Sequence, residues 1–148
     1  MTNDEIIDKA LPNSPSGVLT VPDGNNRVNQ YLEWRASLGL RYNQDLDSME
    51  YVIEDGKVVP LALMEVSKVE NRIVNVEAYL NKVNENRQCQ MLVVAYVARI
   101  LKIPAWYLLH EDNFERCWIR QLHDGGGPFR ETNMGKVERY LRKLREGR

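Results

Sequence analysis

Two apolar segments joined by a turn dominate the middle of the chain. Residues 49–54 (MEYVIE) are rich in aromatic and β-branched side chains, and residues 58–69 (VVPLALMEVSKV) form a longer apolar run. Such segments are typical of β-strands, and Asp55-Gly56 between them is the signal of a tight two-residue turn. The pattern therefore predicts a β-hairpin.

Apolar residues at helical spacing occur on both sides of this hairpin. They predict helices at residues 27–38, 74–83 and 88–101. The third has such a wide apolar surface that we expect it to be mostly buried. Other segments predict a short helix near residues 4–10, strands at residues 40–43, 105–109 and 114–122, and a basic helix at residues 136–148.

This order of elements indicates an α/β protein with a single domain, in which a central mixed β-sheet is flanked by helices. The chain has 148 residues, of which 43% are hydrophobic and 28% charged, and this composition suits one ordinary globular core. We expect residues 1–27 to form an irregular N-terminal arm, residues 28–123 the α/β core, and residues 124–148 a Gly-rich break followed by the basic C-terminal helix.

Other features of the sequence bear on cellular location and on the cysteine and histidine residues. No apolar stretch is long enough to cross a bilayer and the polar start lacks the features of a signal peptide, so we expect a cytoplasmic protein with no membrane association. Cys89 and Cys117 do not have metal-ligand spacing and are expected to be reduced thiols in or near the core. His110 and His123 are expected at strand ends, partly exposed.

Carboxylates at the open end of the predicted hairpin supply the first candidate chemistry. Antiparallel pairing about the turn brings Asp47 beside the segment from Glu65 to Ser67. Glu65 follows Ala-Leu-Met, and an ionised group among apolar neighbours is costly unless a cation or hydrogen bonds offset the burial. Because Mg²⁺ prefers one or two carboxylates together with water and phosphate oxygens, Asp47 and Glu65 predict a magnesium site.

This arrangement resembles the PD-(D/E)xK nuclease superfamily, which includes restriction endonucleases and Holliday-junction resolvases. The resemblance covers roughly residues 31–121 and implies a restriction-endonuclease-like fold. The acidic residues of the family motif correspond to Asp47, with Asp45 as a second candidate, and to Glu65. By position, Glu33 on the first helix and Gln90 on a later helix correspond to further site residues.

One position departs from the family pattern. The family lysine lies two residues after the glutamate, where this chain has Ser67, and a hydroxyl cannot supply the positive charge. Lys68, Lys82 and Arg87 are candidate replacements.

The resemblance implies a metal-dependent endonuclease that hydrolyses DNA phosphodiester bonds with Mg²⁺, or with Mn²⁺ in its place. It also implies DNA as the partner and makes a homodimer or higher homo-oligomer plausible. Since the formal net charge of −1 gives no general attraction to DNA, contact requires a local basic surface. The C-terminal helix offers Lys136, Arg139, Arg142 and Lys143 as phosphate contacts.

Other interpretations of the same residues stay open. Asp45 and Asp47 could cap a turn, Glu65 could form a structural ion pair with Arg41, and Glu33 and Gln90 could be ordinary polar residues of helices. The basic residues of the C-terminal helix could simply complement its dipole. The alternative function is a catalytically inactive nuclease-like module that binds DNA or takes part in protein assembly.

Overall fold

The computed structural model describes residues 30–31, 33–34, 36–39, 46–69 and 71–148. The chain divides into two units, Met1–Asn43 and Gln44–Arg148. In the first unit, the described residues from 30 to 37 are helical, in agreement with the predicted helix at 27–38. The predicted N-terminal arm, the short helix near residues 4–10 and the strand at 40–43 lie outside the described residues.

The second unit is built on a five-stranded mixed sheet, which confirms the predicted α/β class. Its strands lie side by side in chain order, and the pairing of β2 with β3 is parallel while the other pairings are antiparallel. The strands are β1 (Ser48–Glu54), β2 (Lys57–Lys68), β3 (Ala105–His110), β4 (Cys117–Gln121) and β5 (Arg130–Thr132).

The β1–β2 hairpin forms about the predicted turn. Asp55 and Gly56 both have positive φ, at 51° and 74°, which is the backbone of the turn type that matches the twist of paired strands. The register shifts between Glu50 and Tyr51, where Pro60 lies on the partner strand. Pro60 has no N–H to donate, and it lies before the point at which β2 begins to pair with β3.

Three helices flank the sheet: α1 (Val76–Asn86), α2 (Gln88–Leu101) and α3 (Met134–Lys143). Asn75 caps α1 by accepting a hydrogen bond from the Ala78 amide at 3.1 Å, and Asn133 caps α3 in the same way. Helix α2 ends at Leu101, and the next residue, Lys102, adopts the left-handed conformation two residues before a proline. Helices α1 and α2 form the crossover between the parallel strands β2 and β3.

Each face of the sheet has its own apolar cluster. On one face, Leu63, Tyr107 and Leu109 pack with Met91 and Val94 of α2. On the other, Met64, Leu108 and Cys117 pack with Val137 of α3. Because side chains alternate along a strand, residues next to one another on β2 or β3 face opposite clusters.

Several expectations about single elements were wrong. Helix α2 has the predicted bounds but is not mostly buried, since Leu92, Tyr96 and Ile100 are each about 60% exposed. Cys89 on this helix is exposed, so it is not a core thiol, whereas Cys117 is buried.

The β3–β4 connection also differs from the prediction. The strand expected at residues 114–122 is shorter, because a 3₁₀ turn occupies Asp112–Phe114. His110 is buried rather than partly exposed, and its ring stacks on Phe114 with 4.2 Å between centroids. Strand β5 was not predicted. None of the helices in the described part of the chain is long and apolar enough to span a membrane.

Candidate active site

Asp47 and Glu65 meet at the open end of the hairpin, as its predicted pairing requires. Ser48 pairs with Met64, so Asp47 immediately before β1 lies across from Glu65 on β2. The Asp47 amide donates a hydrogen bond to Glu65 Oε1 at 3.1 Å, and the Val66 amide donates to Asp47 Oδ2 at 3.0 Å. Two carboxylates that are 18 residues apart in sequence are thereby held side by side.

Glu65 is buried in the sheet, with 1% of its surface exposed. It faces α2, and Gln90 in the first turn of that helix donates from Nε2 to Glu65 Oε2 at 2.6 Å. Each Glu65 carboxylate oxygen therefore accepts one hydrogen bond, which fixes the orientation of the group. Gln90 thus contacts Glu65, which is oriented from two different elements.

The environment of Glu65 disfavours its charge. Burial raises the pKa of the carboxyl above its ordinary value, and the neighbouring Asp47 carboxylate raises it further. The hydrogen bonds from the Asp47 amide and from Gln90 act in the opposite direction, but the pKa remains raised. A cation placed between the two carboxylates would relieve this repulsion.

Ser67, which the predicted resemblance aligns with a lysine, is already hydrogen-bonded. Its hydroxyl lies 2.5 Å from the hydroxyl of Tyr107, a buried residue of β3 that pairs in register with Glu65. Ser67 and Glu65 share the face of β2 that packs on α1 and α2. Alternation would place Lys68 on the other face, but as the last residue of β2 it lines the same hollow as Ser67. Lys68 forms an ion pair with Asp112 at 2.8 Å.

A groove begins at Ser67 and is lined by the three cations that the sequence suggests as candidates. It has a volume of about 430 Å³, and Lys68, Lys82 and Arg87 line it. Arg87 stands at the junction of α1 and α2, three residues before Gln90. Positive charge is therefore available on the same side of the sheet as the carboxylates.

Asp47 and Glu65 could hold Mg²⁺, which needs few protein ligands. The described residues contain no group of three or more His, Cys, Asp or Glu side chains that could hold a metal. Magnesium is commonly held by one or two carboxylates, with water and substrate oxygens completing its shell. Asp47, which is exposed, and Glu65, which is buried, form such a pair. Asp45, the third predicted ligand, lies outside the described residues, as does Arg41.

The other predicted site residues are not part of this pair. Glu33 belongs to the first unit, where it is exposed. The predicted phosphate contacts are exposed on α3, whose Val137 packs on the sheet face opposite Glu65, and one of them, Arg142, pairs with Glu138 at 3.0 Å. The α3 cations are Lys136, Arg139, Arg142 and Lys143.

Tyr107 is the site residue that the sequence did not indicate. The segment AWYLLH gives an apolar strand, and nothing in it marks one tyrosine as polar in function. Its role follows from the parallel register, which sets Tyr107 beside Glu65 and within reach of Ser67. Because a long helical crossover separates these strands, their register is not readable from the sequence.

Comparison with known proteins gives no relative: no family model, curated protein or solved structure matches this chain.

Proposed function

We propose that this protein is a magnesium-dependent endonuclease that hydrolyses phosphodiester bonds in DNA. The observation that carries the proposal is the pairing of Asp47 with Glu65, whose buried carboxyl has a raised pKa and a fixed orientation. Structural ion pairs also perturb pKa values. Here, however, the charge that acts on Glu65 is the Asp47 carboxylate, and a bound cation would offset the repulsion between the two groups.

The order of elements is consistent with the resemblance to PD-(D/E)xK nucleases. A hairpin carries the two acidic residues, a helix carrying Gln90 follows, and the next strand runs parallel to the second hairpin strand. These features support a restriction-endonuclease-like fold as the finer description of the α/β unit.

The residues of the site would have different roles in hydrolysis. Glu65, held by Gln90, supplies a rigid carboxylate, and Asp47 supplies an exposed one beside it. When bound, Mg²⁺ would offset the charge on the phosphate and lower the pKa of an attacking water. Lys68, Lys82 or Arg87 would provide the charge that the family lysine provides.

A second function, an inactive module that binds DNA, is favoured by one specific observation. Ser67 forms a hydrogen bond with a buried tyrosine instead of presenting a cation beside Glu65. The reciprocal hydrogen bonds between Asp47 and the Glu65–Val66 segment would then serve to close the end of the hairpin. Under this alternative, DNA is bound without being cleaved.

Cleavage assays separate these functions. Plasmid, linear, branched and single-stranded DNA would be incubated with Mg²⁺ or Mn²⁺ and the wild-type protein, Asp47→Asn or Glu65→Gln. Glu54→Gln is the matched control, because Glu54 lies at the other end of the same hairpin and pairs with Arg148. We expect cleavage by the wild type and the control, and a loss of at least about 100-fold in the two site variants, since each tenfold corresponds to about 1.4 kcal/mol.

Two outcomes would count against the nuclease. DNA binding with no cleavage of any substrate by the wild type would favour the inactive module. Cleavage that persists in both site variants would mean that the Asp47–Glu65 pair is not the site.

A further inference from the structure

Two adjoining hollows run along helix α1 and form one continuous groove. The hollow of about 430 Å³ that begins at Ser67 shares Lys68, Tyr79 and Lys82 with a second hollow of about 670 Å³. The second one continues along the β2–α1 connection to Arg72 and Asn75. We call the combined feature the α1 groove.

The charge of the α1 groove differs from that of the chain as a whole. Its lining includes four cations, Lys68, Arg72, Lys82 and Arg87, and no carboxylate among the described residues. The whole chain has 20 basic and 21 acidic residues, so the positive charge is locally concentrated. Such a concentration attracts polyanions even when the net charge does not.

Most of these cations are available to a ligand. Lys68 forms an ion pair with Asp112, and Arg72 lies near enough to Glu111 to lower the pKa of that carboxyl, although Arg116 has the larger effect. No ion pair within the described part of the chain involves Lys82 or Arg87, and both are exposed.

The α1 groove leads to the carboxylate pair. Ser67 at its end lies two residues beyond Glu65 on the same face of β2. Arg87 precedes Gln90 by three residues at the start of α2, which corresponds to a rise of about 4.5 Å in a helix. Since Gln90 contacts Glu65 directly, phosphates bound at the Ser67 end of the groove would lie near the site, although Asp47, Glu65 and Gln90 do not themselves line either hollow.

We propose that the α1 groove binds the sugar–phosphate backbone of a nucleic-acid strand and leads it to Asp47 and Glu65. That the groove binds a strand is argued from its charge alone. That the bound strand is the substrate rests on the proposed nuclease function. The groove lies on the sheet face that carries Glu65, and the α3 cations lie on the other.

Salt-dependent binding tests this proposal without any cleavage. A fluorescein-labelled single-stranded oligonucleotide would be titrated in EDTA, and the affinity followed by anisotropy as NaCl is raised. The groove variant is Arg72→Ala/Lys82→Ala/Arg87→Ala. The matched control is Lys136→Ala/Arg139→Ala/Lys143→Ala, which also removes three exposed cations.

We expect the groove variant to reduce the slope of log K against log[salt] by about 2, because each contact with a single-strand phosphate contributes about 0.7. The control should keep the wild-type slope. Lys82→Arg preserves the charge and should bind like the wild type, while Lys82→Ala should lower the slope by about 0.7. Circular dichroism would verify that each variant is folded.

An unchanged slope in the groove variant, or an equal loss in the α3 control, would overturn the groove assignment, as would a wild type that does not bind the oligonucleotide. Failure of the nuclease proposal looks different. Binding that depends on the groove, with no metal-dependent cleavage of any DNA, would leave the groove in place and remove the enzyme. Metal-dependent cleavage, with the salt slope of the groove variant unchanged, would support the nuclease and overturn the groove assignment.

Discussion

At the scale of single residues, the defining feature is a glutamate whose ionisation opposes folding. Glu65 is 1% exposed, and its raised pKa shows that two hydrogen bonds do not compensate for burial and for the nearby Asp47 carboxylate. A core position optimised for stability alone would favour a neutral side chain. The acid at this position therefore agrees with the proposed role for its charge, because function commonly explains such locally unfavourable choices.

The pKa of Glu65 gives a pH-dependent prediction. An acid whose pKa is raised on folding imposes no penalty below its unfolded pKa of about 4.3, and its full penalty above the folded pKa. We therefore expect Glu65→Gln to raise the free energy of unfolding at about pH 7.5 by on the order of 1 kcal/mol, and by much less near pH 4. Urea unfolding in EDTA at these two pH values measures the difference.

Glu111→Gln is the control for this experiment, since its effect should have the opposite sign. Hydrogen bonding to Arg116 lowers the pKa of Glu111, so its stabilising contribution is present at neutral pH and is lost as the pH falls. That variant should be destabilised at neutral pH. A Glu65→Gln variant that is less stable than the wild type at neutral pH would contradict this prediction, because the ionised carboxylate would then stabilise the folded state.

At the scale of elements, the hairpin controls the site because its turn sets its register. A shift of one residue would move Glu65 to the opposite face of the sheet. Gly56 has a φ of 74°, and no atom lies within 4 Å of where a Cβ would stand, so the effect of a side chain there is purely conformational.

Gly56→Ala should therefore lower the free energy of unfolding by about 1 kcal/mol, since residues with a side chain disfavour the left-handed region. Gly127→Ala is the matched control, because its backbone does not have positive φ and its nearest contact for a Cβ is at 4.0 Å. We expect that control to stay within about 0.5 kcal/mol of the wild type. Equal losses in chemical denaturation would show that the turn conformation is not what Gly56 contributes.

The elements also show what the sequence could predict. The hairpin, helix α2 and the meeting of Asp47 with Glu65 were predictable, because strand alternation and an Asp-Gly turn are local signals. Exposure of Tyr96 was not, since a helix with apolar residues on most sides does not reveal which side is covered. Strand β5 is only three residues long and carries no apolar pattern.

At the scale of the whole α/β unit, the two faces of the sheet carry different features. Helices α1 and α2 cover the face that holds the carboxylates and the α1 groove. Helix α3 packs on the other face, and the segment that follows it is joined to the outer strand β1 by ion pairs of Arg145 with Glu50 and of Arg148 with Glu54. Substitutions of Val137, Arg145 or Arg148 should therefore act on stability, whereas substitutions of cations along the α1 groove should act on binding.

The proposed magnesium site predicts that the stability of this unit depends on Mg²⁺. A ligand that binds only the folded state stabilises it by about 1.4 kcal/mol when its concentration is ten times its dissociation constant. We expect Mg²⁺ to raise the melting temperature of the wild type and of Glu54→Gln, and to leave Glu65→Gln unchanged, as measured by thermal unfolding at constant ionic strength.

The unfavourable charge of Glu65 can be removed by substitution or offset by Mg²⁺, and we expect the two stabilising effects not to add. Glu65→Gln removes the buried charge, so it should be more stable than the wild type in EDTA and gain nothing from the ion. The wild type, which keeps the charge, should approach the stability of the variant as Mg²⁺ is added, because the cation offsets the repulsion between Asp47 and Glu65. An equal rise in the melting temperature of all three proteins would indicate a general salt effect. No rise in any of them would show that the carboxylate pair does not bind Mg²⁺.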